Sequence, residues 1–131
     1  MQVKDYMSET PLTIGASADY QEAFDLMDRH SMHHLPVTDD QGAVVGILSR
    51  YDLRLAARYF HEHPAEVNEI MHSPVTTIAP DAALSEAVGI MAKDYIRCLP
   101  VSEDGGKHLV GIITESDLLR AMQDLLAKHE G

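Results

Sequence analysis

The chain has 131 residues, a formal net charge of −11, 45% hydrophobic residues and 24% charged ones, the make-up of a soluble globular protein of about one domain. The acidic balance argues against a nucleic-acid backbone or an anionic membrane surface as partner, since both need clustered basic charge. No apolar run approaches the ~20 residues of a membrane span, the start Met1-Gln2-Val3-Lys4-Asp5 lacks a signal peptide's basic and apolar regions, and the lone Cys98 excludes an internal disulfide framework, so the expected location is the cytoplasm.

In chain order, Leu12-Thr13-Ile14 reads as a short extended piece after Pro11. Ser17 is expected to cap a helix running to about His30, with Asp19 in its favourable first turn. Tyr20, Ala23, Phe24 and Met27 fall on one face of that helix. Leu35-Pro36-Val37 begins a strand, with the proline at its start, where a ladder donor is not needed. A turn at Asp39-Asp40-Gln41-Gly42 leads to the apolar strand Val44–Leu48, so the pair reads as a hairpin. A helix over about Tyr51–Phe60 follows, and His61-Glu62-His63-Pro64 links it to the next segment.

The same plan then returns. Asp81 is expected to cap a helix with Leu84, Ala87, Val88 and Met91 on one face. Leu99-Pro100-Val101 and Leu109–Ile113 form a second hairpin around Glu103-Asp104-Gly105-Gly106. A last helix carries Leu118, Leu119, Met122, Leu125 and Leu126. With a shift of 64, Ile14, Ala18, Glu22, Ala23, Met27, Leu35, Pro36 and Val37 meet Ile78, Ala82, Glu86, Ala87, Met91, Leu99, Pro100 and Val101. One extra loop residue moves the shift to 65, where Gly46-Ile47-Leu48-Ser49 meets Gly111-Ile112-Ile113-Thr114 and Asp52 meets Asp117. The chain is therefore a duplication: repeat 1 over 1–63, repeat 2 over 64–131. Each copy of roughly 60 residues is marginal alone, so the copies are expected to pack about a pseudo-twofold axis and make paired clefts. The apolar runs Val44–Leu48 and Leu109–Ile113 are expected to be buried on both faces.

Two tetrapeptides carry the chemistry, Ser49-Arg50-Tyr51-Asp52 and Thr114-Glu115-Ser116-Asp117, each after an apolar strand and at a helix start. One reading is a capping box, hydroxyl and acid satisfying the first turn. The other is a ligand site, because a helix start suits phosphate and a neighbouring carboxylate accepts from a ribose diol. The eight histidines lack a cysteine pair or a His-Glu-x-x-His helix to make a zinc site. Cys98, just before a strand, reads as a packed thiol. There is no Gly-x-Ser-x-Gly elbow for nucleophilic catalysis.

Taken in order, Met7…Thr10-Pro11-Leu12-Thr13-Ile14 and Met71…Ser73-Pro74-Val75-Thr76-Thr77-Ile78, then His33-His34-Leu35-Pro36-Val37 and Arg97-Cys98-Leu99-Pro100-Val101, then Gly46-Ile47-Leu48-Ser49…Asp52-Leu53 and Gly111-Ile112-Ile113-Thr114…Asp117-Leu118, the chain resembles a tandem pair of cystathionine-β-synthase-type (CBS) domains, a Bateman module. The resemblance implies an α+β fold of two β-α-β-β-α repeats. It implies a non-enzymatic, regulatory, energy-sensing role through AMP, ADP, ATP or S-adenosylmethionine bound in clefts between the repeats, with no required cofactor and no metal. One cleft would combine Thr114, Ser116 and Asp117 with Thr10, Leu12, Thr13, Met32, His33 and Pro36. The other would combine Ser49 and Asp52 with Ser73, Val75, Thr76, Ile96, Arg97 and Pro100. The aspartates would grip the ribose and the hydroxyls reach phosphate. Arg50 and Arg97 favour the more anionic ligand on the Asp52 side, whereas Glu115 would weaken a polyphosphate beside Thr114. The family also implies a disc-like homodimer joined through helices, with output to a separate effector protein. The competing functions are a dimerisation scaffold for a partner protein, with no bound nucleotide and with Tyr59, Phe60, Leu125 and Leu126 as interface, and a small nucleotide hydrolase using the two aspartates.

Overall fold

A computed structural model describes residues 1–9, 12–59 and 65–130. The elements run β1 (Ser8–Glu9), β2 (Ile14–Gly15), α1 (Tyr20–Arg29), β3 (His34–Thr38), β4 (Val44–Ser49), α2 (Arg50–Tyr59), α3 (Leu84–Asp94), β5 (Cys98–Ser102), β6 (Leu109–Thr114) and α4 (Glu115–Glu130), an α+β architecture. Single 3-10 turns occupy Val3–Asp5 and Val67–Glu69. The compact units interleave along the chain: one is Leu12–Val75, the other is Met1–Pro11 together with Thr76–Gly131.

In the Leu12–Val75 unit the sheet order is β2-β3-β4. β2 runs parallel to β3, and β3 and β4 form an antiparallel hairpin with Leu35 opposite Leu48. The hairpin turn is made by Asp39, whose Oδ1 accepts the N–H groups of Gln41 and Ala43 at 2.9 and 3.0 Å, and by Gly42 at φ +85°, a conformation that glycine reaches without Cβ conflict. His72 borders the far side of β4, exchanging two backbone hydrogen bonds with Ile47 at 3.0 and 2.9 Å. Pro36 sits inside β3 rather than at its start. Its partner Ile47 turns both backbone groups toward His72, and β2 pairs β3 from Val37 onward, so no ladder bond is lost. Leu35, Val37, Leu48, Leu53 and Val67 are fully buried, with Tyr20, Ala23 and Met27 of α1 closing over them. Burying each large aliphatic side chain stabilises by about 1.5–3 kcal/mol.

The other unit follows the same plan. Its sheet order is β1-β6-β5, with Ser8 opposite Ile112 and Glu9 opposite Gly111, and Ile78 bridges Val101 in parallel. Val3, Leu99, Val101 and Ile113 form the core with Leu84, Ala87 and Met91 of α3. In both units, the segment bordering the hairpin's second strand comes from the start of the opposite repeat. This crossing explains two strand glycines. A Cβ on Gly46 would overlap the Met71 side chain, with Cγ at 2.8 Å. A Cβ on Gly111 would lie 2.7 Å from Met7 Sδ and 2.8 Å from the Ser8 carbonyl oxygen.

Several local expectations need correction. α1 is capped by Asp19, which accepts from the Gln21 N–H at 2.9 Å, not by Ser17. The Tyr20 N–H donates to the Ala65 carbonyl at 3.0 Å, and this tertiary tie fixes the helix start. α3 begins after Ala83, which makes no side-chain cap, so Asp81 lies outside the helix. Val88 and Val110 are exposed rather than core residues, and Val44, Val45 and Ile47 are half-buried, so the second hairpin strands are not sealed on both faces. On α4, Asp117 and Ala121 are the buried residues, whereas Leu119, Met122, Leu125 and Leu126 are exposed.

Candidate functional site

The first tetrapeptide forms a reciprocal capping box, and in the second the acid alone caps the helix start. In the Leu12–Val75 unit the Ser49 N–H donates to Asp52 Oδ2 at 3.0 Å, and the Asp52 N–H donates back to Ser49 Oγ at 3.1 Å. The Arg50 N–H donates to the His33 carbonyl at 2.9 Å, so the edge of β3 also helps satisfy the first turn of α2. In the other unit the Thr114 N–H and hydroxyl both donate to Asp117 Oδ2, at 2.8 and 3.2 Å, and the Glu115 N–H donates to the Arg97 carbonyl at 3.2 Å. The two carboxylate side chains are 10% and 8% exposed. In each, Oδ2 belongs to the cap, while Oδ1 meets a nitrogen-bearing side chain outside it. His72 Nε2 lies 2.9 Å from Asp52 Oδ1, and Arg120 Nη2 donates to Asp117 Oδ1 at 2.6 Å. Arg120 also donates to the Tyr6 carbonyl at 3.1 Å, and the Tyr6 hydroxyl donates to Asp124 at 2.6 Å, a bond that raises the Tyr6 pKa.

The remaining expected residues divide between the units. With Ser49 and Asp52 lie Leu12, Thr13, Met32, His33, Pro36, Ser73 and Val75; with Thr114 and Asp117 lie Thr76, Ile96, Arg97, Pro100 and Ser116. Leu12, Thr13, His33, Ser73, Thr76, Arg97 and Ser116 are exposed, Met32, Val75 and Ile96 are half-buried, and Pro36 and Pro100 are buried. Thr10 lies outside the described residues. Arg50 is engaged within its own unit: its Nε and Nη2 donate to the Met32 carbonyl at 3.2 and 2.8 Å, Nη2 also reaches the Met27 carbonyl at 3.1 Å, and Nη1 lies 3.6 Å from Asp28. It closes the C-terminal end of α1, whose carbonyls lack helical partners. Arg97 is an exposed cation with Nε 3.6 Å from Glu115. Sequence reading missed both His72 and Arg120. Arg120 follows Asp117 at the i,i+3 spacing that brings helix side chains together, so a signal existed. His72 is 20 residues from Asp52, and only the fold reveals the pairing. Cys98 is buried, which together with the nearby Asp117 charge pushes its thiol pKa far above the ordinary range, as a packed thiol requires. Among the described residues no group of three or more His, Cys, Asp or Glu side chains is placed to hold a metal ion, and no helix is long and apolar enough to cross a membrane.

Two α+β units, each with an aspartate fixed at the start of the helix that follows its hairpin, define a paired-repeat module. The chain belongs to the CBS domain family, whose model matches it twice, over residues 3–59 and 67–124. It is similar to the crystal structure of a Vibrio cholerae protein described as an acetoin utilization protein (AcuB), at 36% identity and TM-score 0.83, covering 99% of this chain and 96% of that one. It is also similar to the CBS domain pair of protein MJ0100, solved with 5′-methylthioadenosine and S-adenosyl-L-methionine, at 30% identity and TM-score 0.85, covering 95% and 97%. Over 118 residues, 90% of its length, it is 31% identical to the L-aspartate semialdehyde sulfurtransferase of Methanocaldococcus jannaschii, but spans only 22% of that enzyme.

Proposed function

We propose that this chain is a regulatory, non-catalytic module that binds an adenosine-containing ligand (AMP, ADP, ATP or S-adenosylmethionine) through Asp52 and Asp117. One observation carries the reading: at two equivalent positions a nearly buried carboxylate is immobilised by a helix cap through Oδ2, leaving Oδ1 outside the cap. Preorganised acceptors of this kind suit the two hydroxyls of a ribose. The adenosine compounds held by the MJ0100 pair support the ligand class. The proposal includes the two residue groupings: Thr114, Ser116 and Asp117 with Thr10, Leu12, Thr13, Met32, His33 and Pro36, and Ser49 and Asp52 with Ser73, Val75, Thr76, Ile96, Arg97 and Pro100. It also includes a cytoplasmic homodimer whose geometry the ligand shifts for a partner protein. Such a shift requires unequal affinity for the two states.

The test is a thermal-shift and calorimetric screen of AMP, ADP, ATP and S-adenosylmethionine. A ligand at about 100 times its Kd adds about 2.7 kcal/mol of stability. Asp52→Ala and Asp117→Ala each remove a cap worth about 1 kcal/mol, so circular dichroism must show both variants folded. Each is expected to abolish one binding event. The reading fails if no adenosine compound binds below about millimolar, a free energy near −4 kcal/mol.

A second reading, a dimerisation scaffold without nucleotide, draws on the exposed apolar residues Tyr59, Leu119, Met122, Leu125 and Leu126; Phe60 lies outside the described residues. It expects a dimer by light scattering that Leu125→Glu with Leu126→Glu dissociates, and no thermal response to any nucleotide.

A further inference from the structure

The two carboxylates are alike at Oδ2 and differ at Oδ1. Arg120, one helical turn beyond Asp117, keeps its charge at every relevant pH. The partner of Asp52 Oδ1 is the imidazole of His72, three-quarters exposed at 76%, and histidine is the side chain whose charge ordinarily changes between about pH 5 and 8. The backbone holds His72 firmly, because both its N–H and its C=O pair with Ile47. Its ring therefore sits over Asp52 by position, not by chance of rotamer alone. β4, which packs beside it, contains no titratable side chain. In the first turn of α2, Arg50 is tied to the Met27 and Met32 carbonyls and Asp28, Tyr51 is exposed, and Asp52 remains as the group that meets the imidazole. On the segment of His72 itself, Glu69 accepts from the Glu66 N–H at 2.7 Å, and Glu66 accepts from Asn68 at 2.9 Å.

We propose that His72 is a positioning residue that competes with the sugar for Asp52 Oδ1, so that ligand affinity at Asp52 falls as the medium becomes acidic while affinity at Asp117 does not. This deepens the adenosine reading above and rests on it. A protonated imidazole makes a charge-assisted hydrogen bond to the same oxygen that a ribose hydroxyl needs, and such bonds are roughly twice as strong as neutral ones. Loss of the proton weakens the competitor and leaves Oδ1 more available. At Asp117 the competitor never loses its charge.

The experiment uses 5′-methylthioadenosine, which carries the diol but no charge, so any pH dependence belongs to the protein. In an Asp117→Asn background, which keeps a cap acceptor, affinity is expected to be about five-fold weaker near pH 5.5 than near pH 8. Adding His72→Ala is expected to flatten that profile at or above the pH 8 affinity; the exposed side chain makes the substitution harmless to folding. In an Asp52→Asn background, which reads Asp117, the profile is expected to be flat. A ligand-free readout accompanies these: at fixed pH the His72 ring signals in a nuclear magnetic resonance spectrum are expected to move on Asp52→Ala. Binding with the same pH profile in the presence and absence of His72, or ring signals indifferent to Asp52, overturns the inference and leaves the adenosine reading standing. Absence of 5′-methylthioadenosine binding at every pH, in the wild type and all variants, overturns the inference, and overturns the adenosine reading as well when AMP, ADP, ATP and S-adenosylmethionine also fail to bind.

Discussion

Replacing Gly111 by alanine tests whether Ser8–Glu9, from the start of repeat 1, truly completes the sheet of β5 and β6. The added methyl carbon would lie 2.7 Å from Met7 Sδ, 3.3 Å from its Cγ and 2.8 Å from the Ser8 carbonyl oxygen. The methionine can swing aside. The carbonyl cannot, because Ser8 and Glu9 are in register with Ile112 and Gly111. Overpacking of this kind costs about 1–3 kcal/mol, while the alanine recovers about 0.4–1 kcal/mol by restricting the unfolded chain. The net loss is about 1–2 kcal/mol, a fall in Tm of roughly 4–10 °C for a chain of this size. Gly46→Ala provides the contrast. There the backbone neighbour, the His72 carbonyl oxygen, is at 3.1 Å and the closer atoms belong to the flexible Met71 side chain. Denaturant titration should therefore show a smaller loss for Gly46→Ala, and hydrogen exchange should show faster opening of Ser8–Glu9 in Gly111→Ala alone. A Gly111→Ala protein as stable as the parent, with Ser8–Glu9 equally protected, would refute the crossing arrangement.

Three further outcomes follow from the geometry. Tyr95 ends α3 in the left-handed region at φ 56° with its side chain 91% exposed, so Tyr95→Gly should raise stability by about 1 kcal/mol, and a loss on chemical denaturation would contradict the assignment. Asp104 receives hydrogen bonds from the His108 ring at 2.5 Å, from the Ser102 hydroxyl at 2.7 Å and from the His108 N–H at 2.9 Å, which hold its carboxyl well below the ordinary range. A depressed carboxyl contributes stability above its unfolded value, near pH 4, and loses it as pH falls toward the folded value. Asp104→Asn should accordingly lose less stability than the parent between pH 5 and pH 2, and parallel acid titrations would refute this. Cys98 should resist thiol reagents in the native protein at pH 8 and react at once in denaturant; rapid native labelling would show that its burial is wrong.

The hairpins and the paired aspartates were legible because they depend on local pattern: apolar runs, turn residues and a hydroxyl three residues before an acid, each seen twice. The helix starts at Asp19 and Ala83 were not. The first is set by the Tyr20 N–H meeting the Ala65 carbonyl, a contact 45 residues apart in the chain that no window of sequence contains. The bonds from Arg50 to the Met27 and Met32 carbonyls were not legible either, because they join residues 18 and 23 positions apart. The apolar residues of α4 were legible as a set, but which of its stripes is buried was not: it is the one that carries Asp117 and Ala121. Spacing defines a stripe; it does not decide which side the neighbours cover.

The interleaving of the units governs how the gene can be divided. A truncation after residue 63 parts Ile47 from His72 and leaves Ser8 without Ile112, so the first product keeps β2, β3 and β4 but loses the His72 edge, and the second lacks β1 beside β6. A piece spanning 12–75 keeps β2, β3, β4 and the His72 edge in one continuous stretch. The natural cutting points for fragment work or circular permutation therefore lie about a dozen residues downstream of where the duplication would invite the scissors.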